Sequence, residues 1–179
     1  MIYDLHHFEE IPSTNDWIRE GIGRLKPGTV CVAERQTRGR GRHGRPWSTG
    51  AGENLAFSIL LDWPDIKKSW AGLAQAAGLC LADVLRNENL PALLKWPNDV
   101  TVDGKKIAGI LVESLEKNGA RFFILGIGLN VNAGPEFLKH IDQRATSMFA
   151  ATGKSFDRAA ILQKFLEAWK RSYAAFQSS

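Results

Sequence analysis

Residues 38–47 have the composition with the clearest chemical meaning in this chain. Positions 38–45 hold four arginines and three glycines, which suits neither a helix nor a buried strand. Between positions 35 and 52 there are five arginines and no acid, a charge of +5 in a chain whose net charge is +4. Glycine-rich backbone and guanidinium groups both donate hydrogen bonds to phosphate or carboxylate. We predict a mobile clamp that an anion would order. A solvated basic loop and a single-stranded nucleic-acid contact are the alternatives.

Polar side chains also stand where apolar segments begin or end. Ser13, Thr14 and Asn15 begin a predicted helix, Gln36 ends a predicted strand, and the polar segment 95–99 ends another. Ligands usually bind at the carboxyl ends of strands, so these groups are candidates for a binding site. The plainer interpretations are a helix cap at the first group and an Asx turn at the last.

A lysine and a series of glycines lie in two further strand-like segments. Lys106 precedes an apolar run and alternates with Ala108, which predicts that both side chains point to one face. Gly126, Gly128 and Asn130 alternate in the same way, so missing side chains would leave room against the sheet. The pattern predicts a charge aimed into a pocket with a glycine floor. A solvated hairpin lysine and close strand–helix packing are the alternatives.

Composition and motif spacing exclude several classes of protein. The N-terminus lacks the basic and apolar regions of a signal peptide, and no apolar run reaches the roughly 20 residues of a membrane span. Cys31 and Cys80 lie in apolar surroundings and make no disulfide framework, so we expect a cytoplasmic protein that does not bind membranes. The phosphate-loop and dinucleotide patterns are incomplete, no G-x-S-x-G nucleophile elbow exists, and the four histidines lack metal-site spacing. We therefore expect no zinc and no redox cofactor.

The order of predicted elements indicates an α+β fold within one domain, 1–179. Neighbouring hairpins, one with Asp103-Gly104 at its tip, predict a mixed, largely antiparallel sheet with helices packed on it. The predicted strands are 2–8 (at an edge), 29–33, 54–63, 93–96, 107–115 and 121–132, with turns at 97–99 and 117–119. The predicted helices are 14–24 capped by Ser13, 69–85, a short one between Thr146 or Ser147 and Gly153, and one from Asp157 to 176.

In chain order these motifs resemble the catalytic domain of biotin protein ligases. The resemblance runs from about residue 8 to about residue 176, and the related lipoate ligases share the fold, which is similar to class II aminoacyl-tRNA synthetases. The motifs that carry it are Ser13-Thr14-Asn15, Gln36, GRGRHGRPW at 39–47, KWPND at 95–99, GKKIAGILVE at 104–113 and GIGLNVN at 126–132.

The resemblance implies an ATP-dependent ligase. Biotin would be activated as biotinyl-5′-AMP with Mg²⁺ present, then transferred to a lysine of a biotin carboxyl carrier protein or domain. No DNA-binding segment precedes the motifs, so no DNA partner is expected, and a homodimer stays open. The chain stops where the family continues into a small β-barrel, which leaves a biotin- or nucleotide-binding homologue with weak turnover as the alternative. A nucleic-acid binder that uses residues 38–47, the arginine loop, is the third hypothesis.

The resemblance also implies a role for particular residues. Lys106 and Arg42 would be catalytic, because both steps shift negative charge between phosphoryl and carboxyl oxygens. The residues implied for biotin are Ser13, Thr14, Asn15, Gln36, Gly39, Arg40, Gly41, Arg42, Lys106, Gly109, Gly126 and Gly128. Those implied for the nucleotide are Arg45, Trp47, Asn98, Lys106 and Asn130, with Asp99 for Mg²⁺.

Overall fold

The computed structural model describes residues 1–50, 52–63, 70–141 and 143–178. Within these ranges the strands are β1 (Asp4–Ile11), β2 (Thr29–Gln36), β3 (Leu55–Trp63), β4 (Ala92–Lys95), β5 (Asp99–Val102), β6 (Lys105–Lys117) and β7 (Ala120–Leu129). The helices are α1 (Thr14–Gly21), α2 (Leu73–Asn87), α3 (Pro135–Lys139), α4 (Met148–Thr152) and α5 (Arg158–Ser178), with a 3₁₀ turn at Arg42–Gly44. No helix within the described ranges has both the length and the apolar character to span a bilayer.

The strands form one mixed sheet in the order β1-β2-β3-β7-β6-β5-β4. Only β1 and β2 are parallel among these pairs, since all the other neighbours run antiparallel. The predicted α+β class and the largely antiparallel sheet are therefore confirmed. The first strand lies at an edge, as expected, although it begins at Asp4 and continues to Ile11.

Two tight hairpins connect three neighbouring strands of this sheet, and the residues of their turns explain why they form. Asp103 and Gly104 have φ values of 49° and 72°, and Asn118 and Gly119 have 52° and 76°. Positive φ at both central residues is the type I′ pattern, whose twist matches that of the flanking strands. The turns join β5 to β6 and β6 to β7, so the sequence-predicted hairpins are confirmed.

Helices cover the two faces of the sheet unequally. On one face α2 and α5 pack over a large apolar cluster that includes Phe57, Phe165 and Trp169. On the other face the short α1 covers a small cluster around Ile18 and Ile124. Because α1 is only eight residues long, part of this second face is not covered by a helix.

Several boundaries differ from the sequence-based prediction. The first helix ends at Gly21 rather than 24, because the backbone of Ile22 has a ψ of 127°, which is outside the helical range. Helix α2 extends to Asn87, and the predicted start at 69 lies outside the described residues. Ser147 rather than Thr146 caps α4, by accepting from the N–H of Ala150.

A β-bulge at the start of β6 corrects the predicted alternation of Lys106 and Ala108. Val100 pairs with Ala108 and Thr101 with Lys106, so Ile107 is an extra residue on β6. A bulge places two successive residues on one face. Ile107 and Ala108 are both buried in the α2/α5 core, and Lys106 lies on the opposite face.

Candidate functional site

A cavity of about 400 Å³ opens on the sheet face that α1 leaves uncovered. The arginine loop folds across it as a narrow hairpin: the Gly41 N–H donates to the Arg45 carbonyl over 2.7 Å and the Trp47 N–H to the Gly39 carbonyl over 2.9 Å. Of the residues predicted for the site, those that line the cavity are Ser13, Thr14, Asn15, Gln36, Arg40, Gly41, Arg42, Arg45, Trp47, Asn98, Asp99, Lys106, Gly109, Gly126 and Gly128.

Neutral hydrogen-bonding groups gather at the α1 end of the cavity. Gln36 Oε1 accepts from the backbone N–H of Thr14 over 2.8 Å and from its hydroxyl over 3.1 Å. The buried Ser58 hydroxyl lies 2.7 Å from Thr14 Oγ1 and 2.5 Å from Asn15 Oδ1, and its single proton is donated to one of them at a time. Ser13 caps α1, so the capping interpretation is confirmed, yet Ser13 also lines the cavity.

The glycines of β6 and β7 form a floor that side chains from elsewhere cover. A Cβ at Gly126 would collide with the Asn15 amide, and one at Gly128 would collide with the Trp47 ring. A Cβ at Gly109 would lie 3.4 Å from the Nζ of Lys106. Close approach therefore requires glycine at 126 and 128, as the alternating pattern in the sequence had indicated, whereas a Cβ at Gly109 would crowd only the flexible end of Lys106.

Basic groups gather at the opposite end of the cavity. The Nζ of Lys106 donates to Asp99 Oδ1 over 2.8 Å and lies 5.8 Å from the centroid of the Trp47 ring. Arg42 donates to Asn98 Oδ1 over 3.2 Å, and Asn98 in turn donates to the Ile110 carbonyl. In the part of the chain that the structure describes, Asp99 is the single carboxylate among the lining residues. The basic ones at this end are Arg42, Arg45, Lys95 and Lys106, whereas Arg40 also lines the cavity but bonds to Asp16 of α1.

Arg40 is paired within the protein. Its guanidinium donates to Asp16 Oδ2 over 2.6 Å and to Glu113 Oε1 over 3.1 Å. The hydrogen bond from Arg40 lowers the pKa of Asp16. Burial alone would raise the pKa of Glu113, but hydrogen bonds from Asn15, Arg40 and Arg19 outweigh it and lower that pKa. The expectation that the loop needs an external anion for order is thus wrong for Arg40, because two protein carboxylates supply it.

Gly39 and Asn130, both predicted for the site, do not line the cavity. Gly39 closes the base of the arginine loop, where a Cβ would lie 2.5 Å from the Trp47 carbonyl oxygen. Asn130 follows the last residue of β7 and is buried, with its Nδ2 donating to the Thr146 carbonyl over 3.0 Å. Because the chain leaves the sheet at this point, its side chain supports the segment before α4 instead of facing the cavity.

Sequence reasoning missed several residues around the site. Asp16 and Glu113 hold Arg40, and Trp96 lines the cavity with 78 % of its surface exposed. Glu113 belongs to a motif that the sequence singled out, but its partners are 73 and 98 residues away. An acid three residues beyond the Ser13 cap is typical of any helix start, so Asp16 could not be singled out from the sequence.

Magnesium has one candidate ligand here, the Asp99 carboxylate, whose Oδ1 is held by Lys106. Within the described ranges no three His, Cys, Asp or Glu side chains come together as a metal site. Mg²⁺ is commonly bound through one or two carboxylates together with substrate phosphates and water. The residues therefore fit an ion that arrives with a nucleotide, rather than one held by the protein alone.

This fold and motif order define a class of protein. The sequence pattern of the Biotin/lipoate A/B protein ligase family matches residues 7–132, more than half of the chain. The chain belongs to this family. Among solved structures it is similar to the biotin protein ligase from Aquifex aeolicus in complex with biotin and ATP. That similarity has a TM-score of 0.83 and 37% identity, and it covers 98% of this chain and 72% of the other.

Two further relatives are similar in sequence over most of the chain. The bifunctional ligase/repressor BirA of Bacillus subtilis is 36% identical over 97% of this chain and 55% of its own length. The biotin–[acetyl-CoA-carboxylase] ligase of Mycobacterium tuberculosis is 38% identical over 83% of this chain and 55% of its own length. The chain thus spans about half the length of these two relatives.

Proposed function

We propose that this chain activates biotin with ATP to form biotinyl-5′-AMP and transfers the biotinyl group to a lysine of a biotin carboxyl carrier protein or domain. The observation that carries the proposal is the two-ended cavity, neutral at one end and basic at the other, with a glycine floor between them. Biotin is also two-ended, with a ureido ring at one end and a carboxylate at the other. The names of the relatives support the same reaction.

At the neutral end, Ser13, Thr14, Asn15 and Gln36 would hold the ureido ring. A buried amide-like group needs both donors and acceptors, because an unpaired one costs about 1–3 kcal/mol. Hydroxyl and carboxamide side chains supply both without adding charge. The close approach of Asn15 to Gly126 supports a tight fit around a flat ring.

At the basic end, Lys106 and Arg42 would act on the reacting groups. A biotin carboxylate oxygen attacks the α-phosphorus of ATP, the bond from that phosphorus to the β-bridging oxygen breaks, and pyrophosphate leaves. Charge moves among anionic oxygens with no protein nucleophile, so fixed cations and N–H donors are the main catalytic requirement. Lys106 is directed toward the cavity by the bulge and held by Asp99, which supports its assignment to the carboxyl and α-phosphoryl oxygens.

Trp47, Arg45 and Asn98 are assigned to the nucleotide. Trp47 lies on the glycine floor beside Lys106 and offers an aromatic face, while Arg45 is exposed at the rim. Asn98 contributes by holding Arg42. Asp99 is assigned to the Mg²⁺ that accompanies ATP, through the carboxylate oxygen that Lys106 does not occupy.

In the second step the carrier's lysine amine attacks the acyl carbon of the mixed anhydride, AMP leaves, and the amine proton passes to solvent. Gly41 and Arg42 would close the loop over the anhydride and exclude water from it.

We place this reaction in the cytoplasm, where ATP is available. Cys31 and Cys80 are free thiols, as in proteins of a reducing compartment. Residues 1–179 would form a single catalytic unit.

The test is biotin-dependent exchange of labelled pyrophosphate into ATP, with Mg²⁺ and no acceptor protein. We expect exchange that requires biotin, is lost in Lys106→Ala and Arg42→Ala, and persists in Lys105→Ala, whose side chain is exposed next to Lys106. Biotin binding without exchange would indicate a binding homologue instead. Affinity for single-stranded DNA that falls steeply with salt, without any effect of biotin, would favour the nucleic-acid hypothesis.

A further inference from the structure

Four charged side chains form a closed ring beside the cavity. Arg40 donates to Asp16 over 2.6 Å and to Glu113 over 3.1 Å. Arg19 donates to the same two carboxylates, over 2.6 Å in each case. We propose that Asp16, Arg19 and Glu113 are positioning residues that hold the arginine loop over the cavity through Arg40. The effect on catalysis rests on the proposed function, whereas the hold on the loop does not.

Every carboxylate and every guanidinium group in the ring has two partners of opposite charge. Two acids and two bases alternate, so the net charge is zero and each carboxylate accepts from two different arginines. The side chains keep only 21–36% of their surface exposed, so solvent screens these pairs less than it screens ordinary surface pairs. Charge-assisted hydrogen bonds to forked guanidinium groups also fix geometry, which flexible lysines would not do.

Glu113 joins this ring to the neutral end of the cavity. Its Oε2 accepts from Asn15 Nδ2 over 2.6 Å, while Arg40 Nη2 lies 3.1 Å from Oε1 and 3.2 Å from Oε2. Asn15 is the side chain that lies against Gly126 on the floor. One carboxylate therefore connects the loop to a residue proposed for biotin, so loop position and pocket shape depend on each other.

The ring also changes the part that Arg40 plays. A guanidinium with two protein carboxylates already in place has little to gain from a third, and its side chain is only 27% exposed. Arg42, two residues further on, is exposed, and the protein partner found for its guanidinium is the neutral Asn98. Arg40 thus anchors the loop, and Arg42 is left to face the anionic substrate.

The first test is tryptic cleavage of the loop in the ligand-free protein, which needs no enzymatic activity. Arg38 and Arg42 are exposed potential cleavage sites, Arg45 is excluded because Pro46 follows it, and mass spectrometry identifies the cut. Glu113→Gln should speed cleavage within 38–43 about tenfold, since opening the loop no longer breaks the full ring. The matched control is Glu116→Gln, on the same strand, where the acid pairs with Arg121.

Asp16→Asn provides a second variant, because it breaks the ring from α1 rather than from the sheet. Cleavage of α5 serves as an internal reference for global unfolding, so only the ratio of loop to α5 cleavage is compared. An unchanged ratio in both Glu113→Gln and Asp16→Asn would overturn the proposal. An increased ratio in both, with none in Glu116→Gln, would support it even if the protein had no ligase activity.

The second test uses the pyrophosphate exchange assay and a double-mutant comparison. If Arg40 acts through the ring, Arg40→Gln should raise the KM for biotin about tenfold in the wild type but at most about twofold in Glu113→Gln. The maximal rate should change less than the KM. The same factor in both backgrounds would mean that Arg40 contacts substrate directly, and would overturn this part of the proposal.

Discussion

The Nζ of Lys106 lies 2.8 Å from Oδ1 of Asp99 on the neighbouring strand, with the Trp47 ring beside it. Lys106 and Asp99 keep only 18% and 23% of their side-chain surface exposed. The short distance between the Lys106 ammonium and the Asp99 carboxylate depends on the bulge at Ile107, because the bulge puts Lys106 on the cavity face instead of in the core. The pair is thus a consequence of sheet geometry, and it provides an ammonium group that is oriented before any substrate binds.

Removal of this ammonium should slow the adenylation step. Lys106→Ala is expected to lose about 2–4 kcal/mol of transition-state stabilisation, as when other preorganised electrostatic groups are lost. The measurement is kcat/KM in pyrophosphate exchange. Lys105→Ala is the control, because the Lys105 side chain is exposed although it is next to Lys106 in sequence. Near-normal turnover in Lys106→Ala would remove this residue from the mechanism.

Asp99→Asn separates two roles for the Asp99 carboxylate. If it mainly orients Lys106, exchange should fall about tenfold, and adding this change to Lys106→Ala should cost nothing more. If it mainly binds Mg²⁺, the Mg²⁺ concentration that supports half-maximal exchange should rise, and the double variant should be worse than Lys106→Ala. Titration of Mg²⁺ in the wild type, in each single variant and in the double variant decides between these two roles.

The two floor glycines should affect different substrates. In Gly126→Ala the new methyl meets the Asn15 amide, so the KM for biotin should rise. In Gly128→Ala it meets the Trp47 ring, so the KM for ATP should rise. Overpacking of this kind typically costs about 1–3 kcal/mol. Gly134→Ala is the control, because no atom lies within 4 Å of its added methyl and its φ is −76°. Equal effects of both floor variants on both substrates would contradict the two-ended cavity.

Stability should depend on pH through the ion-pair ring. The folded-state pKa values of Asp16 and Glu113 lie below their ordinary values of 3.8 and 4.5. Their stabilisation is therefore fully present above the ordinary values and is lost as pH falls through the lowered ones. The difference in Tm between wild type and Glu113→Gln should be largest at neutral pH and shrink toward pH 3. A difference that stays constant across this range would contradict the assignment.

Local chemistry explains what the sequence predicted correctly. Asp103-Gly104 and Asn118-Gly119 favour positive φ at successive positions, which determines two hairpins without reference to the rest of the chain. Ser13 accepts from the Asp16 N–H and starts α1, again within a few residues. The motifs indicated the family for a similar reason: each one spans only a few residues, and their order along the chain can be seen in the sequence itself.

Long-range pairing explains what the sequence could not predict. Alternation predicted Lys106 and Ala108 on one face, but the bulge at Ile107 puts Lys106 on the cavity face while Ala108 lies in the core. A bulge depends on how two strands pair, and the strand itself has no side-chain pattern that requires one. The arginine loop was expected to wait for an anion, because Asp16 and Glu113 are far from Arg40 in sequence.

The sequence by itself determined the hairpins, the helix caps, the charge of the loop and the family, because turn chemistry, capping and motif order act over a few residues. Only the tertiary structure decided that Lys106 faces the cavity, that Arg40 is held in a ring, and that Gly39 and Asn130 lie outside the cavity. These outcomes depend on strand register and on contacts between distant residues, which packing of the whole sheet selects.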